Sequence, residues 1–91
     1  MKDILIEGHR ILTTDEVAAA VLDYARVLRE RGMSDIVEFP SFHDGSPTLC
    51  ALLLGGAGHL AVVDAPLGVP SSVSGADDAV DEITRRADAL R

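Results

Sequence analysis

Cysteine and aromatic residues are scarce in this sequence of 91 residues. Cys50 is the one cysteine, so no internal disulfide can form. A reducing compartment is the simplest expectation for a chain without a disulfide framework. Tryptophan is absent, and the aromatic residues are Tyr24, Phe39 and Phe42. A core in this chain must therefore be built mainly from Leu, Val, Ile and Ala.

Basic residues are few, and long uninterrupted apolar runs are missing. Lys and Arg number 8 against 15 Asp and Glu, which gives a formal net charge of −7. This balance disfavours nucleic acids and anionic membranes as partners, since both attract basic surfaces. The uncharged stretch 45–63 is interrupted by proline and glycines, whereas a membrane helix needs about 20 mostly apolar residues. The run Ile4–Ile6 is too short for a secretory signal. We expect a soluble, cytoplasmic protein.

The composition present is that of an ordinary globular chain, with 47% hydrophobic and 25% charged residues. We expect a single domain over residues 1–91. Its clearest element is a helix over 13–32. Thr13 and Glu16 have the spacing of a capping box, and Gly32 fits a left-handed C-cap. The apolar stripe of this helix recurs at helical spacing, at Val17, Val21, Tyr24 and Leu28.

The remaining segments alternate between apolar runs and turn signals. Residues 4–12 predict a hairpin that turns at Gly8, with a single bulged strand as the alternative. Three further strands are predicted at 35–42, 48–54 and 59–64, separated by short turns. We expect them to form an antiparallel meander with 48–54 as its central strand, because short loops join sequential neighbours. Pro40 suggests that the first of these strands lies at an edge or ends there.

The C-terminal part begins with a connector rich in proline, glycine and serine at 65–75, which we expect to be flexible. A helix over 76–90 follows, with Ser74 as its expected N-cap and with acidic residues in its first turns and arginines towards its end. The element order predicts an α+β two-layer sandwich: N-terminal β-hairpin, amphipathic helix, three-stranded meander and C-terminal helix. The first helix should cover one face of the sheet, and the last helix or a partner the other.

Motifs for cofactor, metal or nucleophile chemistry are weak. The glycines of 55–58 precede an apolar strand and not a helix, so they favour a hairpin turn over a phosphate cradle. The histidines lack the short spacing of zinc ligands, and Cys50 has no partner cysteine. We expect no metal and no cofactor. A catalytic or ligand site would combine His43, Cys50 and His59 around the meander.

Acidic residues are the most prominent polar feature. A surface of this charge would suit a basic protein partner, and its binding would weaken with added salt. The carboxylates that we expect to contribute are Glu38, Asp44, Asp64, Asp77, Asp78, Asp81 and Glu82.

The stretch 14–66 resembles small immunity proteins of bacterial polymorphic-toxin systems. In that group a helix is followed by a strand, an apolar strand, a glycine-rich turn and a further strand. The corresponding residues are Thr14–Val17, Leu49–Leu54, Gly55–Leu60 and Val62–Asp64. The resemblance implies an acidic protein that blocks a cognate toxin by binding it.

Two hypotheses on function follow from the sequence. The first is a non-catalytic protein-binding module, either immunity-like or self-associating. The second is a homodimeric enzyme or small-molecule-binding protein with its site at the dimer interface.

Overall fold

The computed structural model describes residues 1–56, 58–66 and 72–91. Along the chain, strands β1 (Lys2–Ile6) and β2 (His9–Thr13) are followed by helix α1 (Asp15–Arg31). Strands β3 (Ser34–His43), β4 (Ser46–Gly55) and β5 (Leu60–Asp64) then precede helix α2 (Ala76–Leu90). The expected α+β class, the N-terminal hairpin and the C-terminal helix are confirmed. Within these ranges, no helix combines the length and the apolar character that crossing a bilayer requires.

The five strands form one antiparallel sheet in the order β4-β3-β2-β1-β5. The predicted meander is correct for β3 and β4 but wrong for the third strand. β5 pairs with β1, where Ile4 lies opposite Val62, and not with β4. β4 is therefore an edge strand rather than the central one. Short loops favoured a meander, but β5 adds to the N-terminal hairpin instead.

α1 begins one residue later than the capping box predicted. Thr14 is the N-cap, and its hydroxyl accepts a hydrogen bond from the Val17 N–H at 3.1 Å. The Thr13 hydroxyl donates instead to the Pro40 carbonyl of β3 at 2.8 Å. Gly32 closes the helix in the left-handed conformation, with φ 66°, as expected.

Both helices lie on the same face of the sheet, so of the two predicted covers for the other face, the last helix or a partner, the last helix is wrong. α1 buries its predicted apolar stripe completely or almost so. From α2, Ile83 and Ala87 join the same core beside Val37 and Phe39 of β3. The predicted N-cap of α2 is also wrong, because Gly75 occupies that position and no side chain caps the helix.

The strands cannot lie in one flat sheet. Only four residues separate Gly55 at the end of β4 from Leu60 at the start of β5. They span at most about 18 Å. A flat sheet would place β4 and β5 about 19 Å apart sideways and would offset Gly55 from Leu60 by further tens of ångströms along the strands. The sheet is therefore not flat. Its shortest ladder joins β2 and β3, whose described register is the single pair Leu12–Phe42.

Pro40 fits this junction although β3 is an interior strand. It lies opposite Leu49 in the β3–β4 ladder. The hairpin turn is the two-residue Asp44–Gly45, with φ values of 49° and 80°. Counting from this turn makes Pro40–Leu49 a non-hydrogen-bonded pair, so the missing Pro40 N–H costs the ladder nothing. On the side of β3 that faces β2, the Pro40 carbonyl accepts the hydrogen bond from the Thr13 hydroxyl.

Gly55 allows the chain to leave β4 at this place. Its φ is 97°, and a Cβ there would lie 2.2 Å from the Met33 carbonyl oxygen. Gly56 also has a positive φ of 80°, but a Cβ there would meet nothing within 4 Å. A side chain at Gly55 would therefore meet both a backbone collision and an unfavourable φ, whereas a side chain at Gly56 would meet the unfavourable φ alone.

We expect Gly55→Ala to destabilise the fold by about 3 kcal/mol or more, since it adds a collision to an unfavourable φ. Gly56→Ala is the matched control and should cost about 1 kcal/mol through φ alone. Urea unfolding of the three proteins measures both values. Equal losses for the two variants would contradict the proposed collision with Met33.

Candidate functional site

The outward side of the β3–β4 hairpin carries three of the six large hydrophobic side chains that are exposed in the described chain. Side chains alternate along each strand, and Val37, Phe39 and Leu54 point inwards to the helices. Those of the opposite set point outwards. Ile36 is 58% exposed, Leu49 65% and Leu53 63%.

These exposed side chains adjoin one another across the ladder. Ile36 pairs with Leu53, Glu38 with Ala51, and Pro40 with Leu49. We call the outward side chains of Ile36, Glu38, Leu49, Ala51 and Leu53 the hairpin surface. Glu38 is its one ionisable group. Contiguous exposed apolar side chains of this kind mark interaction sites more often than single exposed leucines do.

Polar contacts fix the first residues of β3 against both helices and so orient the hairpin surface. The Tyr24 hydroxyl of α1 donates to the Asp35 carboxylate at 2.6 Å. Arg86 of α2 donates to the same carboxylate and to the Ile36 carbonyl, both at 3.0 Å. The Arg86 guanidinium is also bound by Glu82 at 2.6 Å. One carboxylate thus connects α1, α2 and β3.

The same contacts shift the titration of these groups. Burial, and then the hydrogen bond to Asp35, raises the pKa of Tyr24 to about 12. The Tyr24 hydrogen bond lowers the pKa of Asp35, with further contributions from the Ile36 N–H and from Arg86. Hydrogen bonds from Arg85 and Arg86 lower the pKa of Glu82 to about 2. Asp35 is therefore ionised at neutral pH.

The predicted acidic residues do not form one surface. Glu38 lies on β3, Asp44 in the hairpin turn, and Asp64 at the end of β5 in an ion pair with Lys2. The remaining four lie on α2. There Glu82 is bound by Arg85 and Arg86, while Asp77, Asp78 and Asp81 are exposed. α2 is the one element that carries several of the predicted carboxylates.

The three residues of the alternative catalytic group lie on different parts of the chain. His43 is exposed at the hairpin turn, and Cys50 lies half-buried on the inward side of β4. Cys50 lies four positions along the extended strand from Ser46, the partner of His43, which corresponds to about 14 Å. His59 immediately precedes β5. Among the described residues, no three His, Cys, Asp or Glu side chains are placed to hold a metal ion.

A small cavity of about 210 Å³ lies where the end of β4 approaches the β1–β2 turn. Its polar lining includes Glu7, His9, Arg29 and His59. The Arg29 guanidinium donates to the Gly58 carbonyl beside it. Ligand sites usually have volumes of about 300 to 1,000 Å³, so this cavity is small for an organic ligand.

The hairpin surface does not follow from the sequence analysis, which predicts 48–54 as the central strand of the meander. A continuous apolar run in a strand indicates two apolar environments, one on each face. Here the inward one is the core, and the outward one is open. A scan against protein-family models, a search of curated proteins and a search of solved structures found no match to this chain.

Removal of the Tyr24 hydroxyl tests whether its hydrogen bond lowers the pKa of the Asp35 carboxyl. We expect Tyr24→Phe to raise the pKa of Asp35 towards its ordinary value of 3.8 and to cost about 1 kcal/mol at neutral pH. A lowered folded-state pKa contributes stability above the unfolded pKa, and this contribution is lost as pH falls through the folded pKa. The difference between variant and wild type should therefore shrink in acid.

Carboxyl chemical shifts during an NMR titration measure the pKa of Asp35, and urea unfolding at several pH values measures the stability. Arg85→Gln serves as the control, because Arg85 binds Glu82 but does not contact Asp35. An unchanged Asp35 pKa in Tyr24→Phe would contradict the assigned hydrogen bond.

Burial raises the pKa of the Cys50 thiol. The thiolate is the reactive form, so we expect slow labelling by a thiol reagent at neutral pH in the folded protein. Labelling in urea should be at least tenfold faster. Fast labelling of the folded protein, with no acceleration in urea, would restore Cys50 as a candidate nucleophile.

Proposed function

We propose that this chain is a non-catalytic protein-binding module that binds through the hairpin surface. The observation that supports the proposal is the continuity of exposed Ile36, Leu49 and Leu53 across two paired strands. Burial of a large apolar side chain contributes about 1.5 to 3 kcal/mol. Three such side chains on a rigid hairpin therefore provide the apolar centre that protein interfaces use.

The acidic charge has a secondary role in this proposal. Its residues are dispersed, and several are already paired with Lys or Arg inside the chain, as at Asp64 and Glu82. Exposed charges at the rim of an interface influence the rate of association and the choice of partner more than the affinity. An immunity-like function, in which the partner is a toxin, is one version of the proposal.

The experiment is a pull-down from the native lysate with three forms of the tagged protein. Wild type should capture a stoichiometric protein. The double variant Leu49→Ser/Leu53→Ser should lose it, because both outward leucines are removed. Asp77→Asn/Asp78→Asn, which alters exposed carboxylates of α2, should retain it.

Loss in the α2 variant with retention in the hairpin variant would assign binding to the acidic residues instead. Retention in both variants would remove the hairpin surface from the proposal. Circular dichroism and urea unfolding verify that each variant is folded.

A further inference from the structure

The outer edge of β4 is an unprotected strand edge. Edge strands in natural proteins are usually protected by charged side chains, by proline or by a bulge. β4 contains no charged residue from Ser46 to Gly55. Its ladder with β3 runs one residue to one residue without a bulge. Pro47 is its single protective residue, near one end.

The register of the hairpin determines which backbone groups face this edge. The residues that flank a two-residue turn form a hydrogen-bonded pair, here His43–Ser46. Alternation along β4 then directs the N–H and C=O groups of Leu49, Ala51 and Leu53 away from β3. Pro47 is in the same set, so its missing N–H lies at the edge and not in the ladder. In the described part of the chain, no strand pairs with β4 on that side.

We propose that a second copy of this chain pairs with this edge, with the two β4 strands antiparallel about a two-fold axis at Ala51. The self-pairing goes beyond the proposed function, because it uses the backbone edge of β4 and leaves the outward face of the hairpin surface in solvent. About six intermolecular hydrogen bonds would form, two for each of the pairs Ala51–Ala51, Leu49–Leu53 and Leu53–Leu49.

The sequence of β4 is self-complementary in this register. Leu49 of each copy lies beside Leu53 of the other on the hairpin surface, so the two surfaces join into one apolar patch. Pro47 falls opposite Gly55, beyond the three full pairs. A two-fold axis at Leu49 would instead place Pro47 opposite Ala51, inside the paired segment, and lose hydrogen bonds there.

The charge distribution favours edge pairing over the stacking of two hairpin surfaces. Stacking would bury Glu38 in the middle of an apolar interface without a paired cation, which is costly. Edge pairing leaves Glu38 in solvent. The two copies of Glu38 would be about 14 Å apart, three strand spacings, which exceeds the Debye length of about 8 Å at physiological salt.

The size of the interface determines the expected affinity. A single strand pair buries less surface than the 1,200 to 2,000 Å² of standard stable interfaces, so we expect dissociation in the micromolar range (about 1 to 100 µM). Each copy carries a net charge of −7. Added salt should therefore strengthen self-association, whereas it would weaken binding of a basic partner.

Sedimentation equilibrium of the full chain, from low micromolar to submillimolar concentration, tests the proposal. Wild type should show a monomer–dimer equilibrium. Ala51→Pro should raise the dissociation constant at least tenfold, because it removes an edge N–H without removing a β3–β4 hydrogen bond. Ile36→Lys is the matched control, since it changes the hairpin surface one strand away from the edge, and it should dimerise like wild type.

A wild-type protein that stays monomeric throughout would overturn the proposal. Dimerisation that survives Ala51→Pro but is lost in Ile36→Lys would replace edge pairing with surface stacking. Capture of another protein by a monomeric chain, lost in Leu49→Ser/Leu53→Ser, would leave the proposed function standing and reject only the second copy. Thermal unfolding verifies that both variants fold.

Disulfide formation tests the axis itself. In the background Cys50→Ala, the variant Ala51→Cys should form an intermolecular disulfide under mild oxidation, since the two Cα atoms would be about 5.5 Å apart. Thr48→Cys in the same background is the control and should not crosslink. Equal crosslinking of both would overturn the register.

Discussion

The apolar stripe of α1 is the feature on which the rest of the structure depends. Val17, Val21 and Leu28 are fully buried, in a chain that has three aromatic residues to fill its core. A small domain buries little surface, so each buried side chain matters. The stripe is covered by strands from both edges of the sheet and by α2. The β3–β4 hairpin takes part in this coverage, and Leu12–Phe42 is the described pair that joins it to β2.

The position of both helices on one face of the sheet has a consequence for the outward side of the β3–β4 hairpin. Both helices lie on the inward side, so Ile36, Leu49 and Leu53 remain exposed. The same topology makes β4 an edge, because β5 returns to β1 at the far side of the sheet. Two of these exposed side chains, Leu49 and Leu53, therefore lie on the same strand as the unpaired backbone edge. Asp35, held by Tyr24 and Arg86, fixes the orientation of that strand pair relative to the helices.

Local patterns in the sequence predicted the elements, but not how the strands pair. The stripe of α1, Gly32 as its cap and the Asp44–Gly45 turn are short-range signals, and the structure contains each of them. The pairing of β5 with β1 depends on a contact between residues about 60 positions apart, which no local pattern encodes. The error over β4 had the same origin. The run Leu49–Leu54 has apolar side chains on both faces of β4. Both helices lie on the inward face, so the core covers that face alone.

Charge and apolar surface point to different kinds of partner for this chain. A net charge of −7 suggests a basic partner, but the carboxylates are spread over strand ends, a turn and α2, and several are bound by Arg or Lys. The apolar side chains are contiguous and held on paired strands. Dispersed charges act over distance and are screened by salt, whereas an apolar cluster beside free N–H groups acts only on contact. In the proposed function, the hairpin surface would therefore supply the affinity, and the acidic residues would select the partners that can approach it.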